Sequence, residues 1–346
     1  MKKFELIVGI DLAKLTIAVC IGTDIKNTKS FEIENSLEAI TDLIARLKKK
    51  QKDLSKILVC FEHTGNCSDK LASLLDSNGI AMWAVHPLVG SNYSTVMNRE
   101  KTDEQDAMRL FEFAFAHKHK VQFYKRPEKI TLEIRELQTT RKQLVTKRTA
   151  SINQLKDFKQ KAKPSKDIID IHKYLIKTYT EKIKELEEKV TKLIEQNPII
   201  KRLEEVLLSV PGIGAVTSKH LIAITDGFNK FGGDHRKIAA FIGTAPYSKQ
   251  SGTSVKSKKK TSKQAYRDLK GELAQAAVSV STRKNQFFYE YYKKMEKQGK
   301  AHMWIINSVI NMILKIVCTL VKKNQLFDKE IYLKNKKSWQ NNLQMS

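Results

Sequence analysis

Cysteine is sparse in this chain, and its four residues (Cys20, Cys60, Cys67 and Cys318) include no Cys-x-x-Cys pair. Three of them lie in or beside apolar runs, where a reduced thiol packs as a small hydrophobe, so a structural zinc site is not expected. Acidic side chains are also few: 37 Asp and Glu stand against 63 Lys and Arg, a formal charge of +26. That surplus exceeds what solubility requires and attracts polyanions, which makes nucleic acid the leading partner. Long apolar runs are missing too. Met303 to Val321 comes nearest, but Asn307, Ser308, Asn311 and Lys315 interrupt it, and a lysine at mid-membrane costs about 3 kcal/mol. The expectation is a buried amphipathic helix in a cytoplasmic protein with no membrane partner. The opening MKKFELIVGIDLAK begins basic, yet Glu5 and Asp11 break the apolar stretch that a secretory leader needs. No G-x-x-x-x-G-K-[ST] loop occurs, so a nucleotide-phosphate cradle of that kind is excluded.

What is present points to a folded protein of more than one domain. A chain of 346 residues exceeds the usual single core. With 41% hydrophobic and 29% charged residues it can bury that core, which excludes a wholly disordered protein. The charge is unevenly spread. Residues 1–117 hold 15 Lys/Arg and 16 Asp/Glu, leaving 48 and 21 for residues 118–346, so a near-neutral first part is joined to a strongly basic remainder.

In the first part, LIVGI and TIAVCIG read as a hairpin of central strands, FEIEN at 31–35 as a third strand, and ILVCF at 57–61 and IAMWAV at 80–85 as two more. Helical stretches fall at Leu37 to Lys50, near Ser68 to Ser77, and from about Thr102 through DEQDAMRLFEFAFAHK. This alternation predicts an α/β layer on a mixed sheet over residues 1–125. From 126 to 197 there is no glycine. Ile169, Ile176, Tyr179, Ile183, Leu186, Val190 and Leu193 follow a seven-residue pattern, with a looser counterpart at Ile130, Ile134, Leu137 and Leu144 across the basic break KQKAKPSKD. The pattern predicts a long helical hairpin or coiled-coil arm, with plain bundle helices inside one domain as the competing reading. Residues 198–325 read as a third, mostly helical unit, and 326–346 as a polar, loosely ordered tail.

Three features carry chemistry. Asp11 follows LIVGI and Glu62 follows ILVCF, so both side chains emerge at strand ends, where open α/β sheets place ligands. Asp103 and Asp106 are three apart at the start of a helix and share a side. Converging carboxylates repel unless a cation neutralises them, and hard oxygen ligands suit Mg²⁺ or Mn²⁺, which in pairs can polarise a phosphodiester. Taken singly, each acid also fits as a turn residue or as favourable first-turn charge. The second feature is LLSVPGIGAVTSKHLIAI, which has the form of a helix-hairpin-helix whose Gly212 and Gly214 would bring backbone N–H groups against a phosphate; a tight turn between packed helices is the alternative. The third is a serine- and lysine-rich loop. Five serines (Ser248, Ser251, Ser254, Ser257 and Ser262) interleave with Lys249, Lys256, Lys258, Lys259, Lys260 and Lys263. Cations around a hydroxyl favour its attack on phosphorus, but composition does not select a serine, and on the residues alone a flexible basic loop gripping the DNA backbone is the default reading.

GIDLAK at 9–14, CFEHTG at 60–65, KTDEQDA at 101–107, VPGIGAVTS at 210–218 and FIGTAPYSKQSG at 241–252 resemble, in order and spacing, the DEDD-type insertion-sequence transposases, which pair a RuvC-like domain with a serine-bearing transposase domain. The resemblance implies an RNase H-like (RuvC-like) domain over 1–125 in which Asp11, Glu62, Asp103 and Asp106 hold the divalent metal. It implies Ser251, the serine of QSG, as nucleophile in a serine transposase domain over 198–325. It also implies strand cleavage through a covalent phosphoserine, exchange and religation on donor and target DNA. Bridge-RNA-guided recombinases look like members of the same family, so a structured guide RNA is an implied partner, with action at the bacterial nucleoid. Glu62 and Ser251 are 189 positions apart in the chain, so the metal site and the nucleophile must meet by domain docking or between subunits; if the helical arm mediates dimerisation, a homodimer or homotetramer with a composite site is expected. Two competing readings are a RuvC-like Holliday-junction resolvase or nuclease using metal-activated water, and a non-catalytic nucleic-acid-binding protein.

Overall fold

The computed structural model describes residues 4–62, 65–85, 102–247, 250–251, 255–256, 260–262 and 265–333. The chain divides into two compact units, Met1–Arg126 and Pro127–Ser346.

In the first unit the central strands are apolar on both faces and therefore read as continuous runs. Strands β1 (Leu6–Leu12), β2 (Thr16–Asp24) and β3 (Asn27–Glu34) form an antiparallel meander. Strands β4 (Ile57–Glu62) and β5 (Ala81–Val85) continue the sheet parallel to β1, giving the order β3-β2-β1-β4-β5. This is the mixed sheet the pattern predicts. β3 begins earlier than the apolar residues suggest, at Asn27, because Asp24 Oδ1 accepts from the backbone of Lys26 and Asn27 and closes a tight turn. As an edge strand it packs only Phe31 and Ile33 against the core, so its first half carries no apolar signal.

Helices α1 (Leu37–Lys50) and α2 (Asp69–Ser77) cover one face, where Leu6, Val8, Ile10, Val59 and Phe61 meet Ile40, Leu43, Leu47, Leu71 and Leu75. Helix α3 (Asp103–His117) covers the other through Ala107, Leu110, Phe111 and Ala114. Its start is set by a capping pair: Thr102 accepts from the backbone N–H of Gln105. Gly9 lets this helix settle on the sheet, for a Cβ there would lie 2.2 Å from Ala107 O and 2.3 Å from Phe111 N. Gly9→Ala is expected to destabilise this unit by about 3 kcal/mol, since both obstacles are backbone atoms that cannot step aside; urea denaturation measures it.

In the second unit, helices α4 (Lys129–Lys159) and α5 (Lys166–Glu195) pack together as a hairpin of two helices, each roughly 45 Å long. The break between them falls in the basic segment. Helices α6 (Pro198–Leu208), α7 (Ala215–Thr225), α8 (His235–Ile242), α9 (Arg267–Ser281), α10 (Tyr289–Lys297) and α11 (His302–Lys323) follow. Among the described residues α11 is the one helix long and apolar enough to cross a membrane. Ile305, Val309, Ile310, Ile313, Leu314 and Val317 bury its inner face in the helical core, together with Leu269, Leu273 and Ile238. Asp226 ends α7 in the left-handed region (φ 52°), and its carboxylate accepts from the Glu128 backbone and the Thr131 hydroxyl at the start of α4. The tail corrects an expectation: residues 326–333 are not loose. Phe327 and Tyr332 pack on Phe287, and the Phe327 N–H donates to Ser209 Oγ at 2.9 Å. Aromatic side chains in a polar stretch are enough to dock it; residues 334–346 lie outside the description.

Candidate active site

The carboxylates are placed by the two-residue period of the strands. Gly9 and Cys60 face α3, so Asp11 and Glu62, each two residues on, emerge on that same face. β1 and β4 are paired in parallel through Ile10 and Phe61, and the next positions along are Asp11 and Glu62, about 4.8 Å apart across the ladder. The direction of α3 follows from its ends. Phe4, ahead of β1, meets the ring of Phe123, beyond α3, at 6.2 Å, while Ala107 and Phe111 lie over Gly9. The helix therefore runs against β1 and starts above the strand ends that carry Asp11 and Glu62. Asp103 and Asp106 sit in its first turn, Asp103 exposed and Asp106 partly buried. Asp106 accepts from Arg109 at 2.6 Å.

Asp11 and Glu62 thus stand at one end of the sheet on the face that α3 covers, and Asp103 and Asp106 lie in the first turn of that helix. Asp11 and Glu62 are neighbours, whereas among the described residues no three His, Cys, Asp or Glu side chains stand close enough to hold one ion. The donor set is made entirely of carboxylates, which suits a hard divalent cation and not zinc. Behind these strand ends lies Asn35, a residue the sequence did not single out. It is 7% exposed, and its amide donates to Ala13 O at 2.9 Å and Cys67 O at 3.1 Å, tying together the segments that follow Asp11 and Glu62. The available signal was a polar residue between a strand and the helix-capping Ser36. The neighbouring thiol of Cys60 is pushed above its usual range, chiefly by burial and then by the charge of Glu62, so it stays protonated and inert.

In the second unit the turn from α6 to α7 divides the work of its two glycines. Gly212 has φ +90°, and a Cβ there would meet Val280 Cγ1 at 2.9 Å and Ala276 O at 3.0 Å, so it serves close packing on α9. Among the described residues nothing stands within 4 Å of where a Cβ on Gly214 would lie, and this glycine begins α7 with no side-chain cap. A phosphate contact would therefore fall to Gly214 and the first N–H groups of α7. Beside that helix start lies a groove of about 560 Å³ whose walls include Arg141, Lys184, Lys192 and Lys219 along with Glu187 and Glu188.

The serine loop folds as two nested antiparallel ladders, β6 (Pro246–Tyr247) with β9 (Lys260–Thr261) and β7 (Gln250–Ser251) with β8 (Val255–Lys256). Ser251 is in register with Val255 on the inner hairpin, whose β8 also carries Lys256, and Lys260 lies on β9 of the outer ladder. Ser248, Lys249, Ser254, Ser257, Lys258, Lys259 and Lys263 fall outside the described residues.

A transposase family model of the IS110 DEDD type matches residues 8–164, and one described as the IS116/IS110/IS902 family of transposases matches residues 204–293. A pilin gene-inverting protein of Moraxella bovis is 27% identical over 333 residues, covering 94% of this chain and 98% of its own. A pilin gene-inverting protein of Moraxella lacunata matches to the same extent. A solved structure of T. thermophilus RuvC in complex with a Holliday junction substrate aligns with 34% of this chain and 99% of its own, at 9% identity and a TM-score of 0.27.

Proposed function

Because the chain belongs to the IS116/IS110/IS902 family of transposases and is a DNA-recombining enzyme, we propose that it cleaves and rejoins DNA strands through a phosphoserine on Ser251, assisted by a divalent cation on an RNase H-like (RuvC-like) domain. The observation that carries this reading is the placement of Asp11 and Glu62 at neighbouring strand ends, on the face where α3 begins with Asp103 and Asp106. Asp11 and Glu62 would hold Mg²⁺ or Mn²⁺ once Asp103 and Asp106 close in from the start of α3; the cation when bound supplies Lewis-acid polarisation of a phosphate oxygen. The Ser251 hydroxyl forms a bond to phosphorus and gives up its proton, while the bond from phosphorus to one deoxyribose oxygen breaks and that oxygen leaves as a hydroxyl. A hydroxyl of the exchanged strand then reverses the step. The number of phosphodiesters is conserved, so no nucleotide is consumed.

The basic loop and Gly214 grip the DNA backbone without reading bases. Site choice therefore falls to another component, for which we infer a structured guide RNA that pairs with donor and target DNA. Two helical hairpins, one from each of two subunits, would join a dimer or tetramer through α4 and α5, and the protein acts in the cytoplasm on nucleoid DNA. The test of the chemistry is a denaturing gel of protein incubated with Mg²⁺ and a plasmid carrying the joined ends of its element, with mass spectrometry of the adduct expected to map it to Ser251. Sequencing the RNA that copurifies with the protein is expected to yield one structured species encoded beside the gene. A random population of cellular RNA would sink the guidance reading.

A further inference from the structure

A second cluster of titratable side chains lies within the helical unit. His220 of α7 is 8% exposed. Its Nδ1 is 2.9 Å from Glu272 Oε1 on α9, and its Nε2 is 3.2 Å from the Tyr266 hydroxyl, just ahead of α9. Burial raises the Tyr266 phenol above its ordinary range, so this hydroxyl keeps its proton where it meets Nε2. A carboxylate only accepts, so Nδ1 is the nitrogen that donates to Glu272. Glu272 Oε2 is buried and has no hydrogen-bond partner among the described residues, where the carboxylate's bond is to His220.

This chain of three ends at the neck of the serine loop. Tyr266 closes the loop and Phe241, near the end of α8, opens it. The two rings stack at 5.4 Å and 18°, and the Tyr266 N–H donates to Phe241 O at 3.1 Å. Between them Gly243 (φ +73°) leaves no room for a Cβ, which would lie 2.4 Å from Ala265 Cβ, and Lys270 donates to Gly243 O at 2.8 Å. Stacked rings alone can slide over one another; a hydroxyl tied to a buried imidazole cannot. A buried polar chain is also seldom worth more to stability than apolar side chains of the same volume. Its position at the neck gives it a use that bulk packing would not supply.

We propose that Glu272, His220 and Tyr266 are positioning residues that fix the base of the loop carrying Ser251, acting on the reaction through the loop and not through contact with DNA. The effect on chemistry rests on the reading of Ser251 as nucleophile; the effect on the loop does not.

Tyr266→Phe keeps the stacked ring and removes only the hydroxyl. In the full-length protein, purified with any RNA that accompanies it, amide hydrogen exchange across residues 243–265 is expected to quicken at least about 10-fold while α11 is unchanged. Single-turnover formation of the covalent adduct on the joined-ends plasmid is expected to fall roughly 10- to 100-fold, with the Kd for the plasmid within about twofold of wild type. Glu272→Gln, which keeps an acceptor for Nδ1, should restore most of the rate that Glu272→Ala loses. Unchanged exchange in Tyr266→Phe overturns the proposal whatever the adduct does. Faster exchange with an unchanged adduct rate overturns the positioning role and leaves Ser251 standing. A wild-type protein that forms no adduct defeats the serine reading instead, and the exchange measurement alone then decides whether the three residues clamp the loop. If Tyr266→Phe loosens α11 as well, His220→Gln carries the same comparison.

Discussion

Ser251→Ala is expected to eliminate the covalent protein–DNA species and to slow strand cleavage by at least about 10³-fold, because no other group in the proposed scheme bonds to phosphorus. Binding to the plasmid should stay close to wild type: affinity comes from many lysine–phosphate contacts and falls with salt in proportion to their number, and none is removed. A thermal melt that matches wild type would show that the inner hairpin of β7 and β8 tolerates the change. Continued cutting by the alanine variant would mean that water is the nucleophile and that the protein works as a metal-dependent nuclease. The loop would then be a grip on DNA, which its lysines also fit.

Asp11→Asn carries the second large effect. The substitution keeps the shape of the side chain and its place beside Glu62 but removes a negative charge from the cation site. Loss of one charged ligand of a catalytic ion costs several kcal/mol, about 10³-fold in cleavage rate, and should raise the Mg²⁺ concentration needed for half-maximal activity. EDTA is expected to silence the wild type and leave plasmid binding in place. Measuring cleavage and a gel shift on the same preparation separates the outcomes: full activity in Asp11→Asn would remove the carboxylates from the mechanism. Equal loss of binding and cleavage would instead make Asp11 a folding residue.

The strands and helices around these sites were largely legible. LIVGI, TIAVCIG and ILVCF appear as unbroken apolar runs because their strands are covered on both faces, and the capping pair of Thr102 and Gln105 marks the start of α3. The acids at strand ends could be named from their place in these runs. Ser251 was separated from its neighbours by family resemblance, since composition treats the five serines alike. The early start of β3, the docking of Phe327 and Tyr332, and the pairing of His220 with Glu272 left no local trace. Gly212 and Gly214 look equivalent in VPGIG, and only the proximity of α9 gives them different tasks.

Periodicity, charge and breaks were sufficient for a mixed α/β unit, a long helical pair and a basic helical remainder, because burial on one face, two faces or a stripe leaves its own spacing in the residues. Strand order, the direction of α3 over the sheet, and the closing of the loop neck by Tyr266 on Phe241 were settled only on folding. They arise from contacts between segments tens of residues apart, where shape and hydrogen-bond geometry, not local pattern, choose the partner.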